Sequence, residues 1–375
     1  MPQPQPQPQP AMTQPQSQPA VSQPQPASSS NRWKGSALAF LGMMLVSPDP
    51  TILRLAARNG GTRWAMVAGK NVMMVPIFGC FAFVMTRGKC GTVRASMCGP
   101  GAKFWALGTF VQACVNIGFP LALIETTAAK ALLLISINPL WAALIGRIAL
   151  KDPLNWITTT AVGVGVVAVL LVFVPSLMPD ESSTAVDNGS LHGDLIAILT
   201  GVMVATYINL NRYVRQKQPA AQPAMAFVAM SGAFCAACIA LPLAAAEWAA
   251  PLAGGAPGKT VADGVQPIFY PLVTLAACAT SGVIVFAVTL APRYIPAAEV
   301  ALVVLLQNIF GPLAVFLVVG EAPSSWTLAG GGLLLATLAA KEVALIASAS
   351  CAKDSRKAKV EAAVAAPETD KPPPM

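Results

Sequence analysis

Charge is scarce in this chain. Only 11% of its 375 residues are Asp, Glu, Lys or Arg, against roughly 25% in an ordinary soluble domain. Histidine is scarcer still: His192 is the single one, and it is expected in a loop. That excludes an imidazole-based zinc centre and a histidine-based catalytic constellation. No intramembrane pair of acids stands out for acid–base work. The net charge is +8, yet the basic residues are strewn between apolar stretches instead of forming the stripe a nucleic acid needs. The one dense group, Lys353, Arg356, Lys357 and Lys359, follows the last apolar stretch, where such clusters meet anionic lipid heads. No catalytic residues, no metal, no cofactor and no nucleic-acid partner are expected.

Residues 1–31 are not expected to act as an apolar leader. They repeat Pro-Gln, lack both the basic start and the apolar run of a signal peptide, and contain no Arg before Arg32. They read as an extended disordered tail, and so does the charged, Pro-rich stretch 351–375. The eight cysteines form no disulfide framework, since Cys80, Cys114, Cys235, Cys238 and Cys278 fall inside apolar stretches. Cys235 and Cys238 have redox spacing without a strand–helix context, so they read as small residues packed on one helix face.

Long apolar runs are what the chain does have. Leu154 to Pro179 and Phe269 to Ala291 contain no charged residue, and about 20 residues of helix cross the hydrocarbon. The apolar character is continuous and does not alternate, which favours helices over a barrel. Ten spans are expected, near 35–57, 64–85, 103–124, 127–149, 154–176, 193–214, 223–246, 268–291, 297–319 and 325–348. The fold class is therefore all-α integral membrane. With the amino terminus cytoplasmic, 18 of the 24 Lys and Arg fall on the cytoplasmic side. Both termini are thus expected to be cytoplasmic, in a plasma or internal membrane. The loop 177–192 carries Asp180, Glu181 and Asp187 with no Lys or Arg, and holds a glycosylation sequon at Asn188.

The last five spans repeat the first five. Ala128-Ala129 match Ala297-Ala298 at an offset of 169, which continues without a gap through Leu133/Leu302, Leu144/Leu313, Asp152/Glu321 and Gly163/Gly332. The first and sixth spans match at an offset of 158, through Gly35/Gly193, Ala39/Ala197 and Arg54/Arg212. An odd number of crossings per copy inverts the second copy in the membrane. The expected domains are two inverted five-helix repeats, 32–190 and 191–350. Inverted repeats are a building plan of carriers that open alternately to either side.

Polar side chains at mid-depth are the candidates for binding, because hydrocarbon penalises them unless they are paired or wet. Asn138 and Gln307 are related by the 169 offset, as are Gln112 and Ser281, and Asn116 lies one turn beyond Gln112. Interhelical hydrogen bonding is the plainer role for any one of them. Asp49 sits in Ser47-Pro48-Asp49-Pro50, where two prolines interrupt the first span. A carboxyl at such a break is a candidate proton carrier; the alternatives are a cap on a broken segment or a pair with Arg54. Its match in the second copy is Tyr207. Lys70, Lys130 and Glu299 lie near span ends and are expected to snorkel to the interface, with Arg54 and Arg212. Trp141 reads as packing, and Gly163, Gly165 and Gly330 to Gly332 as points of close helix approach.

The stretch from Glu125 through Ala128-Ala129-Lys130, Asn138-Pro139 and on to Asp152 resembles the fourth-helix region of EamA-type transporters, in the drug/metabolite transporter superfamily. The counterpart from Ala291 through Ala297-Ala298-Glu299 to Gly320-Glu321 is similar to the same signature. In both, a small-residue start, a mid-helix break at Pro139 or Pro312 and a terminal acid recur. The resemblance covers about residues 35–348. It implies ten helices, cytoplasmic termini and a central cavity between the halves. The ninth and tenth spans carry no Lys or Arg before Lys341, which disfavours phosphorylated solutes. The expected function is secondary transport of a small organic solute within the lipid bilayer, with a proton as candidate coupling ion. Asp49, Gln112, Asn116, Asn138, Tyr207, Ser281 and Gln307 would line the site. The alternatives are a non-transporting membrane scaffold or regulator, an intramembrane enzyme and a channel.

Overall fold

The computed structural model describes residues 29–86, 101–149, 156–177, 190–217, 225–251, 261–283 and 307–341, with Met97, Gly99, Val343, Ala344 and Ala347 beside these runs. Among them the chain is helical apart from turns, a short 3-10 turn at Val261–Gly264 and one isolated bridge at Pro251. The helices are α1 (Ser29–Val46), α2 (Asp49–Arg58), α3 (Arg63–Thr86), α4 (Ala102–Glu125), α5 (Ala128–Ile135) and α6 (Asn138–Ala149). They continue with α7 (Trp156–Leu177), α8 (Leu191–Lys217), α9 (Met225–Ala249), α10 (Phe269–Val283) and α11 (Gln307–Val319). A last helix, α12, covers 325–341.

Six stretches are long and apolar enough to cross a membrane: Lys34–Arg58, Arg63–Val84, Ala102–Glu125, Ala128–Ile148, Leu191–Val214 and Ala226–Ala249. Trp156–Val172, Phe269–Ser281 and Phe310–Val319 are shorter apolar helices. The protein is thus a multi-pass helical membrane protein in composition and length. Its surface fits that setting. Ile148, Phe83, Leu170 and Leu317 are between 62% and 74% exposed, whereas Asp49, Lys70, Lys130 and Asp194 are at most 3% exposed. An apolar exterior around a charged interior is what hydrocarbon as solvent demands.

The first span is interrupted where its prolines stand. Pro48 has no N–H to give, so the ladder ends with Ser47 N–H donating to the Met43 carbonyl at 3.0 Å. Helix resumes as α2, with Pro50 in its first turn, where a missing N–H is harmless. The fourth span breaks at Ser136 and Ile137, just before Asn138-Pro139. The expected break at Pro312 is not there: Pro312 lies inside α11. Helix α1 begins at Ser29, inside the segment expected to be tail. The rest of both expected tails, residues 178–189 with Asn188, Asp152 and Glu299 all lie outside the described residues, and His192, expected in a loop, is instead the second residue of α8.

The main packing contacts join elements before residue 190 to elements after it. Helices α1 and α2 pack on α10 and α11, α3 on α9 and α10, and α4 on α8 and α9; α5 and α6 lie on α8, and α5 also meets α11. The main core runs between these elements through Leu53, Met66, Leu123, Leu132, Leu134, Phe269 and Leu334.

Glycine use is selective. A Cβ at Gly193 would fall 2.6 Å from the Glu125 carbonyl carbon, because the start of α8 is drawn against the end of α4. Ser190 makes that contact, its N–H and Oγ both donating to the Glu125 carbonyl, at 3.1 and 2.7 Å. Gly330 likewise presses on the backbone of Ala168 and Val172. Gly163 and Gly332 do not mediate close approach as expected, since nothing lies within 4 Å of a Cβ at either. The expected packing of the redox-spaced pair is corrected in part: Cys235 is half-buried but Cys238 is exposed. Gly193→Ala is predicted to destabilise the folded protein by about 1–3 kcal/mol through backbone overlap. Gly163→Ala is predicted to stay within about 1 kcal/mol of the parent. Thermal unfolding of both variants in detergent micelles measures the contrast.

Candidate functional site

The proline interruption delivers Asp49 to the interior at the first turn of α2, where its side chain has no contact with water. An isolated carboxylate there would be prohibitively desolvated. Lys70 of α3 answers it, with Nζ 2.8 Å from Oδ2 and 3.1 Å from Oδ1. Thr280 Oγ1 of α10 donates to Oδ2 at 2.8 Å. The Lys70 ammonium also lies 5.0 Å from the centre of the Phe119 ring of α4, a favourable cation–π position. Three helices from the first half and one from the second therefore converge on one buried ion pair.

An amide group adjoins it. Asn71, next to Lys70, donates to the Val67 carbonyl at 2.8 Å and to the Asn116 carbonyl of α4 at 3.3 Å. Gln112 Nε2 donates to Asn116 Oδ1 at 3.4 Å. Asn71 Oδ1 and Asn116 Nδ2 are buried without a hydrogen-bond partner in the protein. Buried polar atoms are nearly always satisfied, so an acceptor and a donor left over beside an ion pair suit a polar ligand. The cluster sets a carboxylate, an ammonium and a hydroxyl beside three amide side chains, an arrangement able to hold a polar molecule by hydrogen bonds. Among the described residues no group of three His, Cys, Asp or Glu is placed to hold a metal ion.

The expected site residues divide into two groups. Asp49, Gln112, Asn116 and Ser281 lie on the helices that build the cluster. Ser281 itself is 2% exposed and donates to the Ala277 carbonyl at 2.8 Å, so its neighbour Thr280 is the one that reaches Asp49. Asn138 and Tyr207 sit apart, on α6 and α8, which pack on each other. Asn138 Nδ2 donates to the Ile135 carbonyl at 3.2 Å and so closes the break in its own span. Gln307 opens α11, and its side chain lies outside the described residues. Near Asn138 is an apolar cavity of about 210 Å³ between α6, α7 and α8. It is walled by Leu140, Trp141, Leu144, Val166, Leu170 and Ile198, and none of the expected site residues lines it. Trp141 packs against the core, as expected, and also walls this cavity with its indole N–H unpartnered.

Three cations depart from the expected snorkelling. Lys70 and Lys130 are 3% and 1% exposed. Lys130 Nζ lies 3.2 Å from Asp194 Oδ2, and Thr126 Oγ1 donates to Asp194 Oδ1 at 2.6 Å. Arg54 pairs with Glu321, not with Asp49. Its Nη2 donates to Glu321 Oε1 at 3.2 Å and to the Thr126 carbonyl, while Nε approaches Oε2 at 3.1 Å off the hydrogen-bond axis. Sequence reasoning missed Lys70, Asn71, Thr280 and Asp194 as site residues. The signal for Lys70 was available: an ionised side chain inside an apolar span implies an opposite partner, and Asp49 was the acid at hand.

No family model matches the chain, and no curated protein matches it. A solved structure described only as a crystal structure of a protein is similar over 84% of this chain and 98% of its own, at 16% identity and a TM-score of 0.46.

Removing one member of the buried pair strands the other, at about 3–5 kcal/mol. Asp49→Leu and Lys70→Met are each predicted to destabilise by that amount, and the double variant by much less than their sum. A double-mutant cycle of unfolding in micelles checks it; additive losses would mean the pair is not coupled.

Proposed function

We propose that this protein is a secondary transmembrane transporter that moves a small polar organic solute by alternating access between two inverted five-helix halves. The observation that carries the reading is the Asp49–Lys70–Thr280 cluster, buried in an apolar bundle with Asn71 Oδ1 and Asn116 Nδ2 unpartnered beside it. A carrier binds its solute at mid-depth between repeats, and this is a polar group between helices of both halves.

The packing supports the duplication. When each span of the first half is exchanged for its match in the second, the inter-half contact set returns itself. First–eighth becomes sixth–third, second–eighth becomes seventh–third, and first–ninth becomes sixth–fourth; second–seventh and fourth–ninth map onto themselves. Together with the constant offset of 169, this favours ten spans and a pseudo-two-fold relation. The recurring signature from Glu125 to Asp152 and from Ala291 to Glu321 is the ground for assigning the chain to EamA-type transporters. The Lys and Arg distribution assigns both termini to the cytoplasm. Proton coupling is assigned to Asp49, not to Asp194, which lies in the first turn of α8. A proton on Asp49 would release Lys70 and free both for the solute.

A scaffold or regulator that keeps the carrier fold is the second reading, favoured by how completely Asp49 is paired. Flux separates them. Protein reconstituted in liposomes is predicted to exchange at least one solute from a panel of amino acids, nucleosides and sugars. Asp49→Asn is predicted to remove the dependence of that flux on a pH gradient, and Asn116→Ala to lower it at least tenfold. Folded protein that moves nothing across the panel would favour the scaffold.

A further inference from the structure

The residues at one end of the bundle form a second polar system, apart from the Asp49–Lys70–Thr280 cluster. This end gathers the close of α2, α4, α9 and α11 and the start of α3, α5, α8 and α10. Its cross-links bridge the halves. Arg54 reaches Glu321, Arg58 Nη2 donates to the Val319 carbonyl at 2.7 Å, and Lys130 reaches Asp194. Arg63 joins Glu247 and, within its own half, Glu125, each at 3.2 Å. Backbone follows suit, with Gln266 N–H donating to the Asn59 carbonyl at 3.1 Å.

The links interlock through the short turn between α4 and α5. The Thr126 carbonyl accepts from Arg54, and the Thr126 hydroxyl donates to Asp194. Glu321 Oε1 takes the N–H of Ala128, the first residue of α5. The Arg54–Glu321 and Lys130–Asp194 pairs therefore share one clamp on one turn. The Arg54–Glu321 pair is partly wet, at 19% and 16% side-chain exposure, and Arg63 is 55% exposed. Such pairs hold without being permanent, because water competes for both partners.

We propose that this network is a gate: the Thr126 turn, clamped by Arg54–Glu321 and Lys130–Asp194, holds the two halves shut at this end and must part for the interior cluster to open there. The proposal rests on the carrier reading. At the opposite end aromatic contacts join the halves, with Trp105 stacked on Phe227 at 5.9 Å and Phe104 against Tyr213 at 6.2 Å.

The test uses the full chain in oriented proteoliposomes, with the native cysteines replaced and a reporter Ser281→Cys beside Thr280. A membrane-impermeant methanethiosulfonate is applied to one face at a time. Replacing Arg54→Gln together with Glu321→Gln leaves no uncompensated charge. It is expected to raise labelling from the face bearing Arg63 at least tenfold, with no change from the other face. The swap Arg54→Glu with Glu321→Arg is expected to return the rate toward that of the parent. With the gate residues intact, raising salt from about 0.05 to 1 M screens the wet pairs and is expected to speed labelling from the same face. The proposal is overturned by rates that stay unchanged in both arms, or that rise equally from both faces. One-sided labelling without solute flux would keep the gate and sink the carrier; flux with two-sided labelling would do the reverse.

Discussion

An ionised side chain in an apolar bundle has to find its opposite. That requirement organises the interior of this protein. Asp49, Lys70, Lys130 and Asp194 are all buried and each meets a counter-charge, joined by a hydroxyl at Asp49 and Asp194 and by a ring at Lys70. Because the partners sit on different helices, neutralising the charges also aligns the helices. The Asp49–Lys70 pair ties α2 to α3 and, through Thr280, to α10. The Lys130–Asp194 pair ties α5 to α8. Neither pair need add net stability over an apolar substitute, since desolvation offsets much of the attraction. What the pairs specify is register, because a helix turned by one residue would leave a bare charge in hydrocarbon.

Apolar packing fills the space between these fixed points. The core formed by Leu53, Leu123, Leu132, Phe269 and their neighbours is made of contacts between the first and second parts of the chain. Among the described residues, neither part closes a core of its own comparable in extent. Small residues set the distances, as where Gly193 lets α8 reach the end of α4 and Gly330 lets α12 lie on α7. The outward faces carry Phe83, Leu170 and Leu317, which are largely exposed.

Much of this was readable in the residues. Continuous apolar runs marked the helices, because a segment without charge over about 20 residues has one stable conformation in lipid. Ser47-Pro48-Asp49-Pro50 marked a break, because two absent N–H groups so close together cannot be bypassed. The pairing was harder. Treating Lys70 and Lys130 as span-end residues placed them at the interface, when each had an acid elsewhere in the chain. Distance from a helix end says how far a lysine could reach, not which carboxylate it meets. Thr280 was obscured by the same reasoning, because Ser281 was singled out from its alignment with Gln112 and a shift of one residue turns a helix by about 100°. Gly163 and Gly332 looked like contact points from their residue type alone, yet both face open space.

The interruption at Ser47 and Pro48 has no equivalent in α8, which runs unbroken from Leu191 to Lys217. The position matching Asp49 is Tyr207, in the middle of that continuous rod. The first rod is jointed at the residue that feeds the buried ion pair, while the second is stiff at the matching point, and that asymmetry is written in two prolines.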